Sequence, residues 1–151
     1  NYRSEKRFDL IVMTGNAFQV FLTEEEVRAT FSAMADHLKP QGQIVFETRN
    51  PSLNWSRLVD GDLTLKHGEN IVVEQRRFRR MDGSVMHFNL NYSFADRTVS
   101  TESRIRFWTR PEVETLALAE GLSIGQVYGD WDGKPLDEDR SREMVFVLSA
   151  A

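Results

Sequence analysis

Phe8-Asp9-Leu10-Ile11-Val12-Met13, closed by Thr14-Gly15-Asn16, is a short run of β-formers between a charged segment and a turn. A run of this kind reads as a buried parallel strand, expected in the middle of a sheet. Thr23 and Glu26 follow at capping-box spacing. Val27, Phe31, Met34 and Leu38 then recur at helical intervals until Lys39-Pro40-Gln41-Gly42 interrupts them. Gln43-Ile44-Val45-Phe46-Glu47-Thr48 is the next strand. Strand, helix and strand in this order make a βαβ unit with a right-handed crossover, so the chain begins as an α/β fold.

Further along the pattern changes. Met86, Phe88, Leu90, Tyr92 and Phe94 alternate with Val85, His87, Asn89, Asn91 and Ser93, the period of a strand with one buried face. Asp82-Gly83 predicts a tight hairpin back to an earlier strand over residues 71–80. Ala95-Asp96-Arg97 predicts a turn into a third strand, on which Val99, Thr101, Ser103, Ile105 and Phe107 share a face. The result is an antiparallel meander. Thr109-Arg110-Pro111-Glu112 is a second capping box with proline in the first turn, and Gly121 is placed to end that helix. A strand over 122–128, an acidic loop over 129–142 and a closing strand over 143–149 complete the reading.

The composition sets bounds. The chain has 151 residues, 40% hydrophobic and 28% charged, the profile of one compact domain, 1–151, able to bury its own core. It contains no cysteine, which excludes a disulfide framework and a thiolate zinc site and suits a cytoplasmic location. No apolar run approaches the roughly 20 residues of a spanning helix, so no membrane partner is expected. A net charge of −4 gives no general attraction to nucleic acid. Arg76, Arg77, Arg79, Arg80, Arg104 and Arg106, with Phe78 and Phe107 among them, raise the question of an RNA-binding sheet, but charged outer faces are ordinary in such sheets. His37, His67 and His87 have no metal-ligand spacing, and the acidic loop from Asp130 to Asp139 does not fit an EF-hand, so no metal is expected.

The stretch from Phe8 to Gln19, the later Leu38-Lys39-Pro40-Gln41-Gly42-Gln43-Ile44-Val45-Phe46-Glu47-Thr48-Arg49-Asn50-Pro51, and the tail from Glu143 to Leu148 resemble small-molecule class I S-adenosylmethionine-dependent methyltransferases. The resemblance implies a partial Rossmann-like methyltransferase sheet, α/β, with the family's C-terminal strands in the order 4-5-7-6 and their helices. Residues 71–108 resemble the antiparallel β insertion that in this family often caps the substrate pocket or mediates dimer contacts. It also implies that the Gly-rich loop and the ribose-binding acidic residue would precede Asn1. The chain therefore reads as a C-terminal portion that binds the cofactor S-adenosylmethionine poorly by itself. In the family's strand order the strand over 8–13 is left as an open parallel edge, so a homodimer is expected, formed by strand exchange at that edge.

In an open parallel sheet, ligands bind beyond the carboxyl ends of the strands. The resemblance therefore makes Thr14, Gly15, Asn16 and Phe18 candidates for cofactor binding. Gly15 permits close backbone approach, Asn16 offers an amide, and Phe18 suits an apolar wall. Arg49 and Asn50, at the next strand end, are candidates for a polar or anionic substrate group, and Gln19, Trp55, Tyr92 and Trp108 for the rest of the small-molecule substrate's surroundings. Each has a plainer reading: a strand-to-helix turn, a surface ion pair, or aromatic core. Methyl transfer depends mainly on alignment, and no catalytic residue is assigned. The alternative function is a non-catalytic dimerising scaffold derived from a methyltransferase.

Overall fold

A computed structural model describes residues 4–151. The chain divides into two compact units, one of residues up to Leu53 with Phe107–Ala151, the other of Asn54–Arg106.

The first unit holds a four-stranded sheet made of β1 (Phe8–Met13), β2 (Leu38–Arg49), β7 (Leu122–Tyr128) and β8 (Glu143–Ala150), in the order β1-β2-β8-β7. β1 and β2 are parallel, and β8 is antiparallel to both β2 and β7. This is the 4-5-7-6 arrangement anticipated from the sequence. Helix α1 (Glu24–Asp36) opens on a complete capping box, with Thr23 Oγ1 accepting the Glu26 N–H and the Glu26 carboxylate accepting the Thr23 N–H. Helix α2 (Arg110–Ala119) repeats the device with Thr109 and Glu112 and carries proline in its first turn. Each cap satisfies N–H groups that the helix cannot pair internally. Thr109→Ala is therefore expected to lower stability by about 1 kcal/mol, read as a lower midpoint in urea.

One face of this sheet carries the core. Val27 and Phe31 of α1, Val113, Leu116 and Ala117 of α2, and Ile44, Phe46, Phe146 and Leu148 of the central strands join one buried cluster. Phe46 lies at its centre, with ring centroids 4.5 Å from Phe18, 5.8 Å from Phe31 and 5.1 Å from Phe146.

Two details differ from the sequence reading. β1 is the edge of the sheet, as the family's strand order implies, and not its middle, as its apolar run alone suggests. Its Ile11 and Met13 pack against the core, while Leu10 and Val12, on the opposite face, are 54% and 49% exposed. β2 also starts five residues earlier than its apolar run, at Leu38 rather than Gln43. Lys39-Pro40-Gln41-Gly42 does not lie outside the strand but bulges within it: Phe8 pairs with Leu38, Leu10 with Gln43, and Gln41 takes a φ of 67°. Leu38 belongs to this strand and to the core, not to the helix, which stops at Asp36.

The second unit is a four-stranded antiparallel meander of β3 (Gly61–His67), β4 (Asn70–Asp82), β5 (Val85–Ser93) and β6 (Thr98–Arg106). β3 is absent from the sequence reading. Gly61-Asp62-Leu63-Thr64-Leu65-Lys66-His67 alternates too weakly to announce a strand, and pairing with β4 along its whole length creates it. The Asp82-Gly83 hairpin and the 95–97 turn stand where the sequence puts them, with Gly83 at φ 57° and the Phe94 N–H donating to the Arg97 carbonyl. The alternating face of β5 is less enclosed than its pattern suggests: Met86 is buried, but Phe88, Leu90 and Tyr92 are half-buried and Phe94 is exposed.

Candidate functional site

In the first unit the carboxyl ends of β1 and β2 lie side by side, with Met13 opposite Phe46 in the parallel ladder. Beyond Met13 the chain reverses through Gly15 at φ 76° and Asn16 at φ 56°, two successive left-handed residues, before a 3-10 turn at Ala17–Val20. A Cβ added at Gly15 would meet nothing within 4 Å, so the need for glycine there is conformational rather than steric. Thr14 and Gly15 are exposed and Asn16 is half-buried.

A polar cluster sits under this turn. The Asn16 N–H donates to Glu47 Oε1 at 2.6 Å, and Glu47 is only 3% exposed. Arg49 Nη1 donates to Gln19 Oε1 at 2.8 Å, and Gln19 is fully buried. Across the ladder Arg49 faces Glu143, the first residue of β8. Burial pushes the Glu143 carboxyl above the usual glutamate range, and the Glu47 and Asp130 carboxylates push the same way. The Arg49 guanidinium and a hydrogen bond from Asn16 oppose them without cancelling the effect. Because the folded chain then binds this proton more tightly than the unfolded chain does, stability is expected to fall as pH rises from the ordinary glutamate value through the raised one. Glu143→Gln should flatten that part of a plot of melting temperature against pH.

Asn50 has a different role from that of an open recognition group. Its Nδ2 donates to the carbonyls of Glu138 and Ser141, both at 2.8 Å, its Oδ1 accepts the Ser52 N–H, and its own N–H donates to the Arg142 carbonyl. It fastens the acidic loop between β7 and β8 to the end of β2. Phe18 and Trp108 are equally enclosed: Phe18 is 1% exposed and stacked on Phe46, and the buried Trp108 donates its indole N–H to the Phe21 carbonyl at 3.1 Å. Trp55 and Tyr92 belong to the second unit, where Trp55 is buried and Tyr92 lies opposite Glu74. Burial, followed by the Glu74 carboxylate, raises the Tyr92 hydroxyl's pKa.

The first unit thus brings together Thr14, Gly15, Asn16, Gln19, Arg49 and Asn50. Glu47 and Glu143, which link them, read in the sequence only as strand residues. The available signal is a glutamate inside the apolar run Ile44-Val45-Phe46-Glu47, since a charge enclosed by a buried strand must be held by partners. Among the described residues, no three His, Asp or Glu side chains are grouped to hold a metal ion, and no helix is long and apolar enough to cross a membrane.

No protein-family model matches the chain. Over 147 residues, 95% of this chain and 59% of the relative, it is 26% identical to a cypemycin N-terminal methyltransferase from a Streptomyces species. The structure of DesVI from Streptomyces venezuelae superposes with a TM-score of 0.80 at 22% identity, covering 100% of this chain and 62% of that one. CalS10, an amino pentose methyltransferase from Micromonospora echinaspora solved with S-adenosylmethionine bound, superposes with a TM-score of 0.67 at 23% identity, covering 100% of this chain and 61% of that one. The chain therefore spans about three fifths of the length of these relatives. Its fold is that of these solved proteins, the methyltransferase CalS10 among them, in keeping with the strand order and with the resemblance read from the sequence.

Proposed function

We propose that this chain, with its methyltransferase fold, serves methyl transfer from S-adenosylmethionine to a small molecule in the cytoplasm, and that the tips of β1 and β2 are its cofactor edge. The observation that carries the reading is the parallel pairing of these two strands, which sets the turn at 14–16 beside Glu47 and Arg49. Ligands of open parallel sheets bind beyond such ends.

The chemistry of the tip suits the cofactor. When bound, S-adenosylmethionine supplies an electrophilic methyl group on a cationic sulfur, and its methionine end carries an ammonium and a carboxylate. Glu47 and Glu143 make the edge acidic, and Asn16 Oδ1, Glu47 Oε2 and Glu143 Oε2, buried behind it, accept no hydrogen bond among the described residues. Thr14, Gly15 and Asn16 are the proposed contacts, while Phe18 supports them from the core. Arg49, held by Gln19, is the proposed polar contact for substrate. Asn50 and Trp108 support this edge through the bonds that fix the acidic loop and Phe21.

Calorimetric titration with S-adenosylhomocysteine, on this chain and on the complete product of its reading frame, tests the proposal. Saturable binding by the complete product, weakened by Asn16→Ala, is expected. No binding by either protein would overturn the enzyme reading.

A non-catalytic dimerising scaffold is the second reading, favoured by the open edge of β1. Phe8, Leu10 and Val12 are exposed there, and a cavity of about 320 Å³ lined by Ile11, Ala33 and Met34 runs beside the strand. Exposed apolar edges invite strand pairing. A homodimer through this edge is compatible with both readings. Leu10→Lys should convert a dimer into a monomer in light scattering, and a protein that is monomeric before the substitution would refute it.

A further inference from the structure

Gln19 has no exposed surface, yet it carries a polar carboxamide, a group that a fold encloses only where partners hold it. Its place joins the two strand tips. The Gln19 backbone N–H donates to the Asn16 carbonyl at 3.1 Å, which ties it to the turn beyond β1. Its side-chain Oε1 accepts from Arg49 Nη1 at 2.8 Å, which ties it to the last residue of β2, 30 positions away. Arg49 is half-buried, so it meets both the enclosed amide and the surface.

The neutrality of this brace matters. Glu143 faces Arg49 across the ladder, and Glu47 lies two residues before Arg49 on the same face of β2. The Glu143 carboxyl is not held below its usual range, as a close ion pair would hold it; burial raises it in spite of the Arg49 guanidinium. A glutamate at position 19 would have the same shape and would cancel the positive charge. Glutamine fixes the guanidinium and leaves its charge intact, and the bond uses one of the five N–H donors in the fork.

We propose that Gln19 is a positioning residue that fixes Arg49 as a preoriented cation at the tip of β2, and that the ligand group Arg49 receives is a carboxylate. A planar guanidinium matches a carboxylate in two parallel N–H···O bonds. A guanidinium fixed before the ligand arrives loses less freedom on binding. Glu47, Glu143 and Asp130 stand close enough to act on one another, and their negative charge makes a doubly charged phosphate the poorer match. The carboxylate belongs either to the acceptor molecule or to the methionine end of the cofactor. The inference rests on the proposed function only in taking the tips of β1 and β2 as the ligand edge.

Arginine side-chain resonances of the complete protein test this, with sodium acetate as the probe, exchanged for chloride at constant ionic strength. In the unaltered protein the Arg49 guanidinium should rotate slowly enough to separate its Nη resonances, and acetate should shift them saturably. Gln19→Leu should free the rotation and weaken acetate binding by roughly 10-fold. Gln19→Glu should keep the rotation slow and still weaken acetate binding by roughly 10-fold or more, because it cancels the charge. A glutamine with a merely structural role would not separate mobility from affinity in this way. Equal acetate affinity in the parent and Gln19→Glu overturns the inference. If neither variant folds, the unaltered protein decides, and fast rotation or no saturable acetate shift at Arg49 overturns it. Where acetate binds, S-adenosylhomocysteine and its decarboxylated analogue separate the two sources: tighter binding of the former, with the difference lost in Gln19→Glu, assigns the carboxylate to the cofactor, and equal binding assigns it to the acceptor. No acetate shift with intact S-adenosylhomocysteine binding refutes this inference alone, and an acetate shift with no S-adenosylhomocysteine binding refutes the enzyme reading alone.

Discussion

Phe46→Ala is expected to lower the stability of the first unit by about 3–5 kcal/mol, well above the loss of either helix cap. Phe46 is fully buried, stacked between Phe18 and Phe146 and tilted against Phe31. Truncation would leave an aromatic-sized void touching β8, α1 and the 3-10 turn after β1. These neighbours belong to separate elements, so a shift of one cannot fill the space. Urea unfolding followed by tryptophan fluorescence would measure the loss, with Trp108 in the same cluster as the reporter. Phe46→Leu, which keeps much of the volume, should recover more than half of it. An alanine variant as stable as the parent would mean that this cluster is not the core of the unit.

The second large effect belongs to Asn50→Ala. Its side chain makes two donated bonds of 2.8 Å to the acidic loop and accepts one from Ser52, and it is 2% exposed. Removing it strands the Glu138 and Ser141 carbonyls and the Ser52 N–H, for an expected loss of about 2–3 kcal/mol. The loss should be uneven. Exchange should rise first in residues 137–142, because Asn50 fastens that loop to β2, and later in the central strands. Asn50→Asp should behave almost as badly, since a carboxylate cannot donate to two carbonyls. Uniform destabilisation with no local increase in the loop would contradict this role.

The parts of the fold that rest on local chemistry are legible in the sequence. Thr23 with Glu26 and Thr109 with Glu112 form the capping boxes their spacing announces, and Gly121 takes the left-handed conformation expected after α2. The strand order follows from the resemblance together with the apolar runs at Phe8, Gln43 and Glu143. What escapes the sequence depends on pairing between distant segments. β3 exists because β4 supplies a partner along its whole length, and Lys39-Pro40-Gln41-Gly42 joins β2 because a bulge allows Leu38 to pair with Phe8. The site divides in the same way. The turn at 14–16 is visible as Thr-Gly-Asn after a strand, but nothing local says that Glu47 accepts from Asn16, 31 positions away. Asn50 resembles a recognition group because asparagine before proline ends a strand. Its partners in the loop at 138–142 emerge only once β8 is paired with β2.

The central claim is that the tips of β1 and β2 together form a cofactor edge. It is tested most directly by following backbone amide resonances of the complete protein during titration with S-adenosylhomocysteine. The account predicts saturable shifts that include Thr14, Gly15 and Asn16 on one tip and Thr48 and Arg49 on the other, moving with a single affinity. Saturable shifts elsewhere in the protein that leave both tips unmoved would contradict it.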